Sequence, residues 1–491
     1  MISCIAFYSQ WVDYPKSYIL MSILLTSMIS AFVDREEELS FLEEKYETDN
    51  FELVLIYGRR RVGKTELIKK FIEDKSSIYC LASLEDKEKQ LENVTTKIHE
   101  HFEGIRPDIQ KWTDLFRYFS KKAEEKTVLI IDEFPYLIEE NESIPSYFQK
   151  FVDEYLKDKD LMLILCGSSI SMMEDLMSYK NPLYGRRSGQ IDLKHFPFKE
   201  AKKMIPVTKL EDSIRYFSVF GGVPFYLQKL EGPTLQKDIK EKVCRTTEIL
   251  YEEPQILLRQ EFRKPNRYFS IMESIASGNT KPKAISDDTK IPLQSIPKYL
   301  KELQRIRLIR HDVPVTAREK SSRRGLYRIE DNFFDFWFRF IGPHLSDVEE
   351  GHDRFVEDHV MVDLDRYVGK KFEKVCVEFL KEKSRHDDQI RFSKIGRWWY
   401  KEDEIDIVAL NEKGNRIYLS ECKWSKNKVG VDLFYDLKQK SEKVRWENDQ
   451  RHEEFFLFSR SGFTEELKQH ASTSGELDLY SLKEMKKEFE T

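Results

Sequence analysis

Cysteine pairs are absent from this 491-residue chain: Cys4, Cys80, Cys166, Cys244, Cys376 and Cys422 are scattered, with no C-x-x-C spacing. That argues against a zinc site and a disulfide framework, and it fits a reducing, cytoplasmic compartment. A membrane-length apolar run is missing too. The stretch YILMSILLTSMISAFV, residues 18–33, is shorter than the ~20 residues a spanning helix needs and contains Ser and Thr. Only Lys16 stands before it as a cation, so the basic leader of a signal peptide is lacking. Residues 1–30 are read as a poorly structured extension, with Met21 or Met28 as an alternative start and a membrane or signal anchor as the competing reading. No stable membrane association is expected. A strong charge bias is also lacking, since the net charge of −6 singles out no partner.

What is present is a globular composition, 40% hydrophobic and 34% charged, in a chain long enough for about three domains. The charge is unevenly placed. Between Gln255 and Glu330 there are 17 Lys+Arg against 8 Asp+Glu, a local +9, which makes that segment the candidate for touching phosphates.

After Phe51 the chain reads ELVLIYGRRRVGKTELIKKFIE, a short apolar strand, a glycine-bounded loop and an amphipathic helix. Gly58, Arg59, Arg60, Arg61, Val62, Gly63, Lys64 and Thr65 match G-x-x-x-x-G-K-[ST]. In such a loop the glycines let successive N–H groups face a phosphate at the helix start. Lys64 is expected at the β- and γ-phosphates, and the Thr65 hydroxyl at Mg²⁺. A second apolar strand, KTVLIIDEF, ends in Asp132, expected to hold Mg²⁺ through water, and Glu133, expected to orient or deprotonate the attacking water. A third, LMLILCGSS, ends in Ser168 and Ser169, whose hydroxyls are placed to sense the γ-phosphate or simply to cap a helix. In NPLYGRRSGQIDL, Arg186 and Arg187 follow a glycine and read either as a charge-stabilising finger for a neighbour's nucleotide or as a solvated basic loop. Together these elements predict a doubly wound parallel α/β nucleotide triphosphatase.

FVDREEEL at 32–39, GRRRVGKT, VLIIDEF, LCGSS, PLYGRR and GGVPFYL at 221–227 resemble, in the expected order, the archaeal ATPase family of AAA+ P-loop ATPases, relatives of the STAND signalling ATPases. The resemblance implies ATP as the nucleotide, a lid after the core, Arg186 or Arg187 as finger and hence a homo-oligomer, and Phe32 with Arg35 on the adenine side. The GGVPFYL stretch carries no arginine of its own.

From Asn266, RYFSIMESIAS, PLQSIPKYLKELQRIRLIR and VPVTAREKSSRRGLYRIED read as helix, turn, helix and hairpin. The pattern resembles a winged helix-turn-helix. Its Ser295–Gln304 helix would enter a major groove, and Arg318, Lys320, Arg323 and Arg324 would meet phosphates from the wing, so DNA is expected at residues 290–330. The alternative is a lid or protein-contact module. The following DNFFDFWFRFIGP is expected to be aromatic core.

Farther on, Tyr367, Phe372, Val375, Cys376 and Phe379 share one helical face with Glu373 beside it. EIDIVAL, the turn NEKGNR and IYLSECKW then form a hairpin. Strict alternation puts Glu404 and Asp406 on one face and Ile405 and Ile407 on the other, with Asp406 beside Glu421 and Lys423. Oxygen ligands from Asp406, Glu421 and the Cys422 carbonyl suit Mg²⁺ or Mn²⁺, with Lys423 positioning a water; a surface Glu–Lys pair is the alternative. EIDIV, a turn and ECKW after a G-K-K-F-E helix resemble the PD-(D/E)XK nuclease superfamily, in the form of the domain of unknown function 234 at the C-terminus of archaeal ATPases. That implies Glu373, Asp406, Glu421 and Lys423 as catalytic set and a restriction-endonuclease-like mixed α/β domain that also meets DNA, although Ile405 replaces the usual proline. The expected order is an extension (1–30), an ATPase core (31–200), a helical lid (201–260), a winged helix (261–335) and the nuclease-like domain (336–491).

Overall fold

The computed structural model describes residues 32–102, 104–317, 325–352, 354–447 and 450–490. The first half is a sheet of Glu52–Tyr57 (β1), Ser77–Leu81 (β2), Thr127–Asp132 (β3), Leu161–Gly167 (β4) and Gly189–Asp192 (β5). The order is β2-β3-β4-β1-β5, and every neighbouring pair is parallel. Every residue of β1, β3 and β4 is buried, because helices cover both faces. Val54, Ile56, Val128 and Ile130 pack with Leu67, Ile68 and Phe71 on one side. Leu53, Leu55, Leu129 and Ile131 pack with Phe116, Phe148 and Phe151 on the other. Each such side chain contributes about 1.5–3 kcal/mol of burial. Parallel strands bring Tyr57, Asp132 and Gly167 to the same carboxyl edge, where ligands bind in sheets of this kind.

In the second half, one continuous buried cluster runs from Phe196 to Phe489. It takes in the helices after the ATPase sheet, three helices (Pro265–Ala276, Pro282–Thr289 and Ile296–Arg305) and an antiparallel hairpin of Ile309–Asp312 (β6) and Leu326–Ile329 (β7). Phe333, Phe334, Phe336, Trp337, Phe338 and Phe340 all lie inside it, as expected of the aromatic stretch. Arg318, Lys320, Arg323 and Arg324 lie outside the described residues, as do residues 1–31.

The last element is a mixed sheet of Lys394–Tyr400 (β8), Asp403–Asn411 (β9), Arg416–Lys423 (β10), His452–Ser459 (β11) and Leu477–Ser481 (β12), in order β12-β11-β10-β9-β8. β8, β9 and β10 run antiparallel, while β10, β11 and β12 run parallel. The 23-residue helix Leu364–His386 covers one face with Tyr367, Phe372, Val375, Cys376 and Phe379. Val431–Ser441 covers the other with Phe434 and Leu437. Alternation in β9 breaks: Gly396 pairs Val408 but Trp398 pairs Ile405, an extra residue in β9. Ile405 therefore joins Val408 and Leu410 on one face while Ile407 joins Ala409 on the other, which corrects the expectation that the two isoleucines share a face. A bulge of this kind re-aims the side chain within it, here Asp406. Among the described residues, no helix is long and apolar enough to cross a membrane.

Candidate functional site

The loop after β1 is shaped by glycine. A Cβ at Gly58 would sit 2.2 Å from the Leu193 carbonyl oxygen, and Gly63, at φ +94°, caps the Lys64–Phe71 helix. Lys64 is buried and donates to the carbonyls of Gly58 and Arg59 at 3.0 and 3.1 Å. Among the described residues no carboxylate pairs with it. Burial holds its ammonium below the usual lysine range, with Cys166, Glu133 and Asp132 pulling the other way.

Across the edge, Thr65 Oγ1 donates to Asp132 Oδ2 at 2.9 Å, and Tyr79 donates its hydroxyl to the same oxygen. A hydroxyl and a carboxylate side by side, with room left for phosphate oxygens, fit the donor set that Mg²⁺ takes in nucleotide sites. Glu133 follows in a left-handed backbone, φ +53°, a strain of roughly 1–3 kcal/mol of the kind kept at functional positions. Its carboxylate accepts two bonds from Ser168 Oγ, at 2.7 and 2.8 Å, and one from Ser168 N at 3.2 Å. Ser168 thus holds the glutamate.

The three loop arginines reach outward. Arg60 donates to Tyr136 OH at 2.8 Å. Arg61 pairs with Glu253 and lies over the Phe225 ring. Arg59, 5% exposed, donates to Asp331 Oδ2 at 2.6 Å and to Tyr226 OH at 3.0 Å, with Phe334 under its guanidinium. Tyr226 in turn donates to Glu253 at 2.8 Å, so the loop, the GGVPFYL stretch and the segment beginning at Asp331 form one buried network.

A cavity of about 730 Å³ opens beside this loop, lined on its phosphate side by Lys64, Thr65 and Glu133 and on the other by Phe32, Phe196 and Phe225. Arg35 donates to the carbonyls of Lys194 and Val62 and stacks on Phe196, which fixes that wall. The arginine-free GGVPFYL stretch therefore contributes Phe225 to the wall and Tyr226 to the network. Arg186 is taken up by Asp153, through Nη2 at 3.0 Å and Nε at 3.2 Å, and by the carbonyls of Pro182 and Tyr184. Arg187 has no carboxylate partner among the described residues, and its buried Nη1 is unbonded.

Nine of the thirteen Lys and Arg described between Gln255 and Glu330 are exposed, and four arginines turn inward. Arg305 binds Glu174 at 2.9 Å, Asp175 at 3.1 Å and the Ser171 carbonyl at 2.7 Å, on the helix that follows Ser168 and Ser169. Arg307 pairs with Asp192, and Arg310 with Glu330 at 2.6 Å and Asp312 at 2.5 Å. Lys298 and Lys301 remain exposed on the Ile296–Arg305 helix.

Where the Leu364–His386 helix meets the C-terminal sheet, Glu373 comes together with Asp406, Glu421 and Lys423. Cys422 N donates to Asp406 Oδ2 at 2.9 Å. Burial and Asp406 push the Glu373 carboxyl up to about 8, and burial and Glu421 push Asp406 up to about 6. Each acid also has a basic neighbour. Arg397 lies 2.6 Å from Glu373, 3.2 Å from Glu404 and 3.9 Å from Asp406. Lys423 and Lys440 take the two oxygens of Glu421, at 2.8 and 2.7 Å. Despite burial, those lysines hold Glu421 below its ordinary range. Among the described residues, no group of three or more His, Cys, Asp or Glu is arranged to hold a metal ion. Here side-chain cations neutralise the acids at which the sequence reading expects Mg²⁺ or Mn²⁺. The sequence reading missed Arg397 and Lys440, whose only signal was an arginine one strand away and a lysine on a covering helix. It missed Tyr226, Glu253 and Asp331 because they are remote from the loop they hold.

A parallel sheet with a phosphate loop, a threonine–aspartate pair and an adjoining glutamate at one edge defines an ATP-hydrolysing P-loop enzyme. Residues 32–230 match the family described as an ATPase domain predominantly from Archaea. Residues 337–441 match a family of archaeal and bacterial proteins of unknown function, domain of unknown function 234. An uncharacterized protein of Methanocaldococcus jannaschii is 39% identical over 420 residues, spanning 84% of this chain and 92% of its own. The chain belongs to this family of archaeal ATPases with a C-terminal domain of unknown function 234. Among solved structures, the Walker-type ATPase of Pyrococcus abyssi covers 63% of this chain and 96% of its own at 20% identity, with a TM-score of 0.48. The ORC2 protein of Aeropyrum pernix covers 70% and 96% at 10% identity, with a TM-score of 0.40.

Proposed function

We propose that this chain is a cytoplasmic, ATP-driven, DNA-binding switch whose nuclease-like C-terminal domain grips nucleic acid. The observation that carries this reading is the buried Arg59–Asp331 pair, which ties the phosphate loop to the start of the helix Asn332–Phe336 and so to the second half of the chain. In this reading the backbone from Gly58 to Gly63 cradles the phosphates and Lys64 trades its two carbonyl partners for phosphate oxygens. Mg²⁺ bound by Thr65 and Asp132 would neutralise charge developing on the transferred phosphoryl group. Glu133 orients the attacking water once it turns from Ser168, and Ser168 returns it afterwards. Because Arg186 is bound within its own domain, Arg187 is the better of the two candidates for a neighbour's nucleotide in a homo-oligomer.

The domain order follows the sequence reading, with 31–200 as ATPase core, 201–260 as lid, 261–335 as winged helix and 336–491 as nuclease-like domain. DNA would meet Lys298, Lys301 and the basic wing. The Arg305 bonds to the helix after Ser168 give hydrolysis a route to that reading helix. The test is ATP turnover and duplex binding by the full chain across a salt series. Turnover that rises or falls with DNA supports the switch; turnover indifferent to DNA, with no salt-sensitive binding, refutes it. A second reading, metal-dependent cutting, draws on the convergence of Glu373, Asp406, Glu421 and Lys423. Duplex, branched and single-stranded DNA incubated with Mg²⁺ or Mn²⁺ decide it: cutting that Asp406→Ala abolishes supports it, and intact substrates exclude it.

A further inference from the structure

A second cavity, about 710 Å³, lies between the β6–β7 hairpin, the Leu364–His386 helix and the start of β8 and β9. Its size is that of a small-ligand site. Eight Lys and Arg line it against six Asp and Glu. One of those acids counts for less than a full charge, since burial pushes Glu378 up to about 8. The cations opposite them are incompletely satisfied. Among the described residues the buried Nε atoms of Arg328 and Arg339 find no hydrogen-bond partner, although Arg328 Nε lies 3.3 Å from Asp312 and Arg339 Nη2 lies 4.0 Å from Asp335. Lys370 is held below the ordinary lysine range by partial burial and then by Arg339, Arg328 and Arg366, with Asp335 pulling the other way. Such a wall suits a phosphate, which brings charge and several acceptors at once.

The same cavity touches the route to the nucleotide loop. Lys374, on its wall, donates to the Glu330 carbonyl at 2.8 Å and lies 3.5 Å from the Glu330 carboxylate. Arg310 takes the same carboxylate at 2.6 Å. The next residue, Asp331, caps the following helix by accepting from Phe334 N at 3.0 Å and holds Arg59. One short backbone segment, 330–332, is thus gripped from one side by the cavity and from the other by the phosphate loop.

We propose that this cavity is a second phosphate-binding site, taking a nucleotide-sized phosphorylated ligand on Arg328, Arg339 and Lys370, and that its occupancy is felt at the phosphate loop through residues 330–332. The shared chemistry is a phosphate on a nucleotide, from either a strand end or a free nucleotide. Glu373 and Asp406 of the nuclease-like set also line this cavity, so the binding deepens the nucleic-acid-gripping reading of that domain, and the coupling rests on the ATP-driven reading above.

The test is calorimetry on the full chain saturated with a non-hydrolysable ATP analogue, so that the phosphate loop is already filled. The probes are a 5′-phosphorylated tetrathymidylate, the same oligonucleotide without its phosphate, thymidine monophosphate and inorganic phosphate. At least one phosphorylated nucleotide probe should bind one to one, about tenfold more tightly than the unphosphorylated strand and than free phosphate. Tighter binding by the oligonucleotide assigns a strand end, and tighter binding by the monophosphate assigns a free nucleotide. Lys370→Gln and Arg328→Gln should each weaken that binding about tenfold. Lys370 is exposed and makes no ion pair among the described residues, so its variant keeps the wild-type melt and the comparison stays valid. No binding of any phosphorylated probe at millimolar concentration, or binding indifferent to both substitutions, overturns the site. ATP turnover unchanged when the tightest probe saturates the chain overturns the coupling. Pocket binding without any duplex binding would leave this site standing while the DNA-switch reading fails.

Discussion

Two carboxylate sites, one at the carboxyl edge of the first sheet and one between the second sheet and its covering helix, are neutralised in opposite ways. At the first, Asp132 takes hydroxyls from Thr65 and Tyr79, Glu133 takes Ser168, and Lys64 rests on two carbonyls. At the second, Glu373 has Arg397, and Glu421 has Lys423 and Lys440. Neutral donors leave the first site able to take an ion and phosphates with little rearrangement. Resident cations make the second self-sufficient, since a buried charge is tolerated when paired. The first is open to an ion and phosphates, and the second carries its own counter-charges.

The largest effect that would break this contrast is at the link between the halves. Arg59→Ala leaves Asp331 buried without its partner and should cost about 3–5 kcal/mol in urea unfolding, while the paired replacement Arg59→Met with Asp331→Leu should recover most of it. A near-neutral single substitution would mean that Asp331 is not buried as described. Next, Lys64→Ala should lower ATP turnover about 100- to 1,000-fold at saturating nucleotide with the melt unchanged; the corresponding Lys423→Ala should leave turnover where it was.

A pH series sharpens the comparison. The Glu373 carboxyl is raised in the folded chain to about 8 from an ordinary 4.5, and Asp406 to about 6 from 3.8. A raised carboxyl stabilises the fold below its unfolded value and loses that contribution as pH climbs through its folded value. Stability should therefore decline from about pH 4 to pH 8. Glu330 runs the other way: despite burial, Lys374 and Arg310 hold it down to about 2, so its contribution is present above 4.5 and disappears toward pH 2. Glu373→Gln should flatten the upper limb, and an unchanged limb would place the titration elsewhere. The smallest effect expected is at the surface, where Lys298→Glu with Lys301→Glu should weaken duplex binding and lower its salt slope by about 2. An unaltered slope would remove that helix from the DNA.

How much of this could be read beforehand follows from distance along the chain. The strand, loop and helix around Gly58–Thr65 were legible because a phosphate cradle demands glycine, lysine and threonine at fixed spacing within eight residues. The approach of Asp406 to Glu421 was legible because a short turn sets a hairpin's register. The bulge in β9 was not, since an extra residue leaves the apolar pattern of EIDIVAL intact. Nor was the Arg59–Asp331 pair, which joins residues 272 apart and looks in sequence like a variable loop position and an ordinary helix cap. The +9 of the middle segment was legible as a quantity but its exceptions were not: Arg305, Arg307 and Arg310 turn inward to acids of the ATPase core and the hairpin while most of the other described cations stay exposed.

The central claim is that nucleotide at the phosphate loop is felt in the second half of the chain through Arg59 and Asp331. Hydrogen exchange of the full chain, with and without a non-hydrolysable ATP analogue, measures it directly at residues 326–336 and 364–386. The account predicts nucleotide-dependent protection there in the wild type and its loss in the Arg59→Met, Asp331→Leu double variant, with protection at residues 58–71 retained in both. Protection confined to residues 58–71 in the wild type, or unchanged in the double variant, would contradict it.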